Sequence, residues 1–162
     1  VWMDEATAQT IKTRFKYCFE ELNNSGYPSI LEDCRITDPL TPLQLEGEGG
    51  TVEVIPFYQQ HGRIRSLGYK IGNMAYSSDI SELPEESVKF IEGVDVWIVD
   101  ALRQTPHPTH FHLEKTIEHI ERLNVKKAYL TNLHIDMDYA TLCKDLPDHI
   151  RPAYDGLEIY LD

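Results

Sequence analysis

The stretch Gly93-Val94-Asp95-Val96-Trp97-Ile98-Val99-Asp100 decides the fold. Val94 to Val99 is an apolar run of the kind found in a strand buried on both faces, and it stops at Asp100. Downstream, Leu113, Ile117, Ile120 and Leu123 stripe one face of a helix, while Glu114, Lys115, Glu118 and Arg122 decorate the other. Lys127 to Leu133 reads as the next strand. A short helix around Tyr139 to Lys144 follows and is stopped by Pro147. Strand, helix, strand, helix in this order predicts a mixed sheet with helices packed on it, an α+β fold.

The flanks extend that pattern. Pro84 opens a short helix that ends at Gly93. Ser66 to Ile71 and Met74 to Ser77 read as two strands joined at Gly72-Asn73. Thr51 to Tyr58 is a further strand, with Val52 and Val54 alternating before Ile55-Pro56. Residues 29–50 read as short extended pieces and loop, because Pro39, Pro42 and the Gly47–Gly50 cluster forbid a long element. Asn23 through Pro28 is a turn-rich break. Asp4 can cap a first helix in which Ala8, Ile11, Phe15 and Cys18 recur at helical spacing. Near the end, Asp155-Gly156 signals a tight hairpin turn. No linker divides the chain, so residues 1–162 are expected to form one domain or part of one.

Fifteen Lys and Arg stand against 27 Asp and Glu in 162 residues, a net charge of −12. Such a surface repels phosphate backbones and disfavours nonspecific nucleic-acid binding. Apolar residues at 41% are enough for a real core, and the length suits a single ordinary domain. No apolar run approaches the roughly 18 residues of a membrane span. Cys18, Cys34 and Cys143 are odd in number and lack a CxxC pair, so buried, inert thiols in a reducing cytoplasm are expected. Residues 1–20 have neither the basic nor the apolar region of a signal peptide, and the first residue is Val1. Asn23-Asn24-Ser25 matches the glycosylation triplet, which has no meaning in a cytoplasmic protein.

Histidines and carboxylates gather at the ends of the expected strands. His61 follows the first, Asp79 lies just past the Met74–Ser77 strand, Asp100 ends the next, and His110, His112 and His134 come in the segments after strands. Side chains at several strand ends can converge on one rim of a sheet, where they present metal ligands or an acid–base pair. Singly, each has an ordinary reading. A strand-end histidine is more often a hydrogen-bonded loop residue, Asp79 could cap a turn, His119 sits on the polar helix face towards solvent, and His149 lies in a terminal loop. Their joint occurrence in order outweighs these readings. His107-Pro108-Thr109-His110-Phe111-His112 puts three imidazoles within six residues. A closed structural zinc site wants four ligands, usually including cysteines, and none is near, so one catalytic histidine is expected here.

Taken together, six stretches resemble the metallo-beta-lactamase-fold hydrolases, in the branch typified by phosphoribosyl cyclic phosphate phosphodiesterase. They are His61-Gly62 with Ser66-Leu67-Gly68-Tyr69; Ala75-Tyr76-Ser77-Ser78-Asp79; Val99-Asp100-Ala101-Leu102-Arg103; Pro106 to Phe111; Leu130-Thr131-Asn132-Leu133-His134; and Pro152-Ala153-Tyr154-Asp155-Gly156-Leu157. The resemblance implies an αββα sandwich and a two-metal hydrolytic site holding zinc or manganese. His61 resembles the histidine ligand after a strand, Asp79 the carboxylate that bridges the two ions, and His110 the histidine that gives a proton to the leaving group. Asp100 is expected to orient a histidine from behind. Two ions about 3.5–4 Å apart can activate one water and neutralise phosphoryl oxygens. An imidazole, whose ordinary pKa is about 6.5, suits proton donation near neutral pH.

The sequence departs from the family at two places. The motif His-x-His-x-Asp-His, expected well upstream of His61, is absent. The chain therefore reads as an incomplete, C-terminal portion of the fold, with the first strands missing. The family's last histidine ligand falls at Asn132. If the strand continues, the period of two places His134 on the same face, and His134 is preferred as the ligand. The implied activity is metal-dependent hydrolysis of a small, cyclic or acyclic, phosphate ester by a longer parent, with this piece inactive alone. The alternative is a non-catalytic module. A sheet lacking its first strands would expose edges and associate with a second copy.

Overall fold

The computed structural model describes residues 1–21 and 25–161, so Asn23 and Asn24, from the glycosylation triplet and the turn-rich break, lie outside the described residues. The chain divides into two compact units, Val1–Pro39 and Leu40–Asp162.

The first unit contains β1 (Trp2–Met3), α1 (Glu5–Arg14), α2 (Lys16–Phe19) and β2 (Cys34–Arg35). Asp4 caps α1 as expected, its carboxylate accepting the Thr7 N–H at 2.8 Å. The single helix expected to run through Cys18 is instead broken at Phe15, whose φ of −123° leaves the helical region. Only Ala8 of α1 and no residue of α2 is buried, so no packed apolar face holds the two as one helix. β1 and β2 pair in parallel. Asp33 clamps this unit through Lys12 at 2.9 Å and Arg35 at 2.8 Å, and these cations hold its carboxyl below the ordinary carboxylate range.

The second unit is a seven-stranded mixed sheet in the order β3-β4-β5-β6-β7-β8-β9. The strands are β3 (Leu43–Gly47), β4 (Gly50–His61), β5 (Ile64–Ile71), β6 (Met74–Ser77), β7 (Val96–Asp100), β8 (Lys127–Thr131) and β9 (Ile150–Pro152). Three helices connect the later strands: α3 (Glu85–Val88), α4 (Leu113–Arg122) and α5 (Tyr139–Asp145). β3 to β6 form an antiparallel meander, and β6 to β9 are parallel. β4, β6, β7 and β8 consequently all run in one direction and end on one rim of the sheet.

β4 runs three residues past its expected end at Tyr58. Pro56 is tolerated inside it because β3 pairs only as far as Val54, leaving the missing N–H on a stretch that no strand flanks on that side. β8 stops at Thr131, two residues short of the expected Leu133, because Asn132 takes the left-handed conformation with φ +59°. Asp155-Gly156 does make a turn, closed by Leu157 N–H to the Tyr154 carbonyl at 3.1 Å. The expected hairpin does not form among the described residues, because β9 ends at Pro152, before the turn begins.

The core lies on the sheet of the second unit. Trp97, Phe57, Phe111, Ile91, Ile120 and Leu130 are wholly buried. Trp97 satisfies its indole N–H on Ser77 Oγ at 3.0 Å. Thr116 and Ile120 bury the inner face of α4, but His119, expected in solvent, is half-buried with its ring 4.7 Å from that of Phe111, and this burial lowers its pKa. The three cysteines are unpaired as expected, yet half-buried rather than buried. No helix among the described residues is long and apolar enough to cross a membrane.

Gly68 of β5 lies directly across from Phe57, where an added Cβ would sit 2.3 Å from the ring. Gly68→Ala is expected to destabilise the chain by about 1–3 kcal/mol in urea unfolding, the cost of overpacking a filled core. An unchanged midpoint would contradict this packing.

Candidate metal and acid–base site

The co-directional strands deliver the candidate residues to one rim. His61 is the last residue of β4, Asp79 stands two residues past β6, Asp100 is the last residue of β7, and Asn132 follows β8 directly. Ligands of sheets of this kind gather beyond the carboxyl ends of the strands. His61, Asp79 and His110 each offer a ligand atom, and these atoms lie within 4.8 Å of one another. The His61 and His110 rings stand edge to face with centroids 4.7 Å apart.

Each imidazole has one nitrogen committed. His61 Nδ1 lies 2.8 Å from the Thr109 carbonyl, which can only accept, so Nδ1 carries the proton and Nε2 keeps its lone pair. His110 Nδ1 lies 2.6 Å from Asp100 Oδ2, so Nε2 is its uncommitted nitrogen. A histidine pinned through one nitrogen by a carbonyl or carboxylate is the arrangement that orients metal-binding and proton-transferring imidazoles. Asp79 is half exposed, with a carboxylate oxygen 3.8 Å from His110 Nδ1. Its φ of +54° is an uncommon conformation for a residue with a side chain, held by Ser66 Oγ–H donating to its carbonyl at 2.8 Å. The His61 nitrogen and the Asp79 carboxylate suit a divalent cation and the His110 ring stands beside them, so the residues present fit the metal that the resemblance implies.

Asp100 is fully buried behind His110. Besides His110 it receives the Ile80 N–H at 3.3 Å and the Asn132 amide at 3.3 Å. Burial pushes its carboxyl pKa up, and the hydrogen bond from His110 is the largest effect opposing this. Thr116 Oγ–H donates to the Asp100 carbonyl at 2.8 Å and ties α4 to the end of β7.

His134 is not in the group. It is 55% exposed, and its Nδ1 pairs with Asp136 at 2.9 Å. The period-of-two argument fails because β8 has already ended and Asn132 reverses the backbone, so Asn132 is the residue in contact with the site. The histidine-rich segment does not act as one cluster either. His107 lies with its ring 5.2 Å from that of His110, with its pKa lowered first by burial and then by Arg103, whereas His112 faces Glu114 at 3.9 Å. His149 pairs with Glu121 at 2.9 Å. Sequence reasoning missed Thr109 and Ser66, which orient His61 and Asp79 through contacts between distant parts of the chain. The neighbour Gly62 carries a partial signal. It sits at φ +61°, and an added Cβ would lie 2.5 Å from Thr109 Cγ2, so the turn after β4 seats the segment that carries His110.

Gly62→Ala is expected to cost about 1–2 kcal/mol from the left-handed backbone alone, and more from the clash. Thr109→Ser removes the clashing methyl, so in that background Gly62→Ala should cost measurably less in urea unfolding. Strictly additive losses would contradict the contact.

Comparison with known proteins supplies the family. Residues 1–135 match the family described as Beta-lactamase superfamily domain. The crystal structure of a diphosphatase from the PhnP family is 30% identical with a TM-score of 0.84, covering 99% of this chain and 58% of that one. Zinc-bound PqqB from Methylobacterium extorquens shares the fold at 14% identity and a TM-score of 0.66, covering 99% of this chain and 64% of its own. Among curated proteins, an octanoyltransferase of Porphyromonas gingivalis is 30% identical over 165 residues, which span this whole chain but only 32% of that protein. The chain thus spans a third of that curated relative and under two thirds of the diphosphatase. By its match over residues 1–135 and its superposition on these structures, the chain belongs to the beta-lactamase superfamily, as a metallo-beta-lactamase-fold protein of the PhnP-like branch.

Proposed function

We propose that this chain is the C-terminal portion of a metal-dependent phosphodiesterase that hydrolyses a small phosphate ester, completed in a longer protein by the first strands and the His-x-His-x-Asp-His motif. The observation that carries the reading is the convergence of His61, Asp79 and His110 within 4.8 Å, with His110 held from behind by buried Asp100. The diphosphatase resemblance at 30% identity supports the substrate class.

His61, through Nε2, and Asp79 would hold the metal, which would be zinc or manganese, with Asp79 in the place of the bridging carboxylate that the resemblance implies. His134 remains eligible as the last ligand only if its pairing with Asp136 opens, and Asn132 already stands at the site. The bound ions supply Lewis acidity towards the phosphoryl group and the attacking water. His110, with Nδ1–H fixed on Asp100, presents Nε2–H to the leaving oxygen. As the water oxygen bonds phosphorus and releases a proton to solvent, the ester P–O bond breaks and the His110 proton passes to the departing alkoxide, which leaves as the alcohol.

A second reading is supported by the lack of a His-x-His-x-Asp-His motif in the 162 residues: a module that keeps the fold, is inactive alone, and serves association. β3 and β9 each pair on one side only among the described residues, and we propose a homo-oligomer joined through such an edge. A clean monomer in sedimentation would rule that association out. The unpaired cysteines suit the cytoplasm, which we propose as its compartment.

In the whole gene product, His110→Ala should lower kcat on bis(p-nitrophenyl) phosphate by about 10²–10⁴-fold with metal content unchanged. His61→Ala and Asp79→Asn should instead lower metal content. Loss of metal on His110→Ala would make it a ligand rather than the acid. No hydrolysis with either metal would favour the non-catalytic module.

A further inference from the structure

Gln59 is wholly buried in β4, midway between the core ring of Phe57 and His61, and the period of two puts all three on one face of the strand. Its side chain has no part in the chemistry above. Its Oε1 has no hydrogen-bond partner among the described residues. An unpaired buried carbonyl costs free energy that an apolar side chain of similar length would not, so stability alone does not account for an amide here. Gly68 of β5 leaves room for it, because an added Cβ there would lie 2.7 Å from Oε1.

The other end of the amide is fully engaged. Nε2 donates to the Ser78 carbonyl at 2.9 Å and to Ser66 Oγ at 3.3 Å. Ser66 is the residue of β5 directly opposite Gln59 in the ladder, so the two side chains share a face. Ser66 Oγ–H in turn donates to the Asp79 carbonyl at 2.8 Å. The two hydrogens of one amide are thus spent on the two carbonyls that flank the Asp79 Cα, one directly and one through a hydroxyl. Fixing both neighbouring peptide planes fixes φ and ψ of the residue between them, since these are its only soft backbone dihedrals. Asp79 needs this, because its φ of +54° persists only where surrounding contacts impose it.

The peptide after Asp79 is held at both ends. Its carbonyl accepts from Ser66, and its N–H, that of Ile80, donates at 3.3 Å to Asp100, the residue that orients His110. Beyond it the Ser81 N–H donates to the Gln60 carbonyl at 2.6 Å. The segment that crosses the rim from β6 back to β4 is therefore pinned at Ser78, Asp79, Ile80 and Ser81 in succession.

We propose that Gln59, acting with Ser66, is a positioning residue that sets the Asp79 carboxylate at the site by fixing the backbone on either side of it. That this carboxylate then holds a cation rests on the hydrolytic reading above; the placing of Asp79 does not.

The test uses the whole gene product, stripped of metal and then titrated with Mn²⁺. Gln59→Met keeps the length of the side chain and removes both donors; Ser66→Ala removes the hydroxyl and Ser66→Thr keeps it. In the metal-free protein the one-bond Cα–Hα coupling of Asp79, which is smaller at positive φ than at negative φ, reports the backbone. It should rise in Gln59→Met and Ser66→Ala and keep its wild-type value in Ser66→Thr. The Mn²⁺ dissociation constant, read from water-proton relaxation, should rise by about 10–100-fold in the first two and stay near wild type in the third. A purely structural role would lower the urea midpoint and leave the coupling or the affinity unmoved, and that result would overturn the proposal. So would equal losses of affinity in Ser66→Ala and Ser66→Thr. Gln59→Asn, whose amide falls one methylene short of the Ser78 carbonyl, decides the matter if Gln59→Met fails to fold. A wild-type protein that shows the left-handed coupling at Asp79, loses it in the variants and binds no Mn²⁺ would refute the metal reading and leave this one standing.

Discussion

The 2.6 Å hydrogen bond from His110 Nδ1 to Asp100 Oδ2 is the contact on which the rim of the sheet depends. A carboxylate with no exposure is costly unless donors surround it. Asp100 gathers its donors from three separate segments: His110 from the connection after β7, the Ile80 N–H from beyond β6, and the Asn132 amide from beyond β8. Satisfying one buried acid thus fixes the relative positions of three strand ends. The same bond decides which nitrogen His110 turns outward. Fold stability and site geometry are here one problem in hydrogen bonding.

The sheet makes that solution possible. An antiparallel meander joined to a parallel half lets β4 run with β6, β7 and β8 although they are not consecutive in pairing. His61 then arrives at the same rim as Asp79 and Asp100. Gly62 against Thr109, and the Thr109 carbonyl on His61, sew the meander to the segment carrying His110. The left-handed backbones of Asp79 and Asn132 lie at this rim, where surrounding contacts have to hold them.

Much of this was legible in the sequence because it follows from local pattern. The apolar run at Val94 to Val99, the stripe on α4, the Asp4 cap and the Gly72-Asn73 connection all declare themselves through period or turn chemistry. Strand ends could be located well enough to nominate His61, Asp79, Asp100 and His110 as neighbours. What failed was of two kinds. Breaks at single residues, Phe15 between α1 and α2 and Asn132 after β8, depend on backbone angles that hydrophobic period does not encode, and the second of these leaves His134 outside the His61–Asp79–His110 group. Long-range partners such as Thr109, 48 residues from His61, leave no local mark at all. His119 looked solvated because it sits among charged residues, yet the ring of Phe111 covers it.

The central claim is that a divalent cation binds at His61 and Asp79, within reach of the His110 ring. Paramagnetic relaxation tests it directly: Mn²⁺ is added in small amounts while the imidazole carbon-bound proton signals of all seven histidines are followed by NMR. The account predicts that the His61 and His110 signals broaden first and together, with His119 and His149 persisting. Uniform broadening of all seven, or selective loss at His119 or His149 while His61 stays sharp, would contradict it.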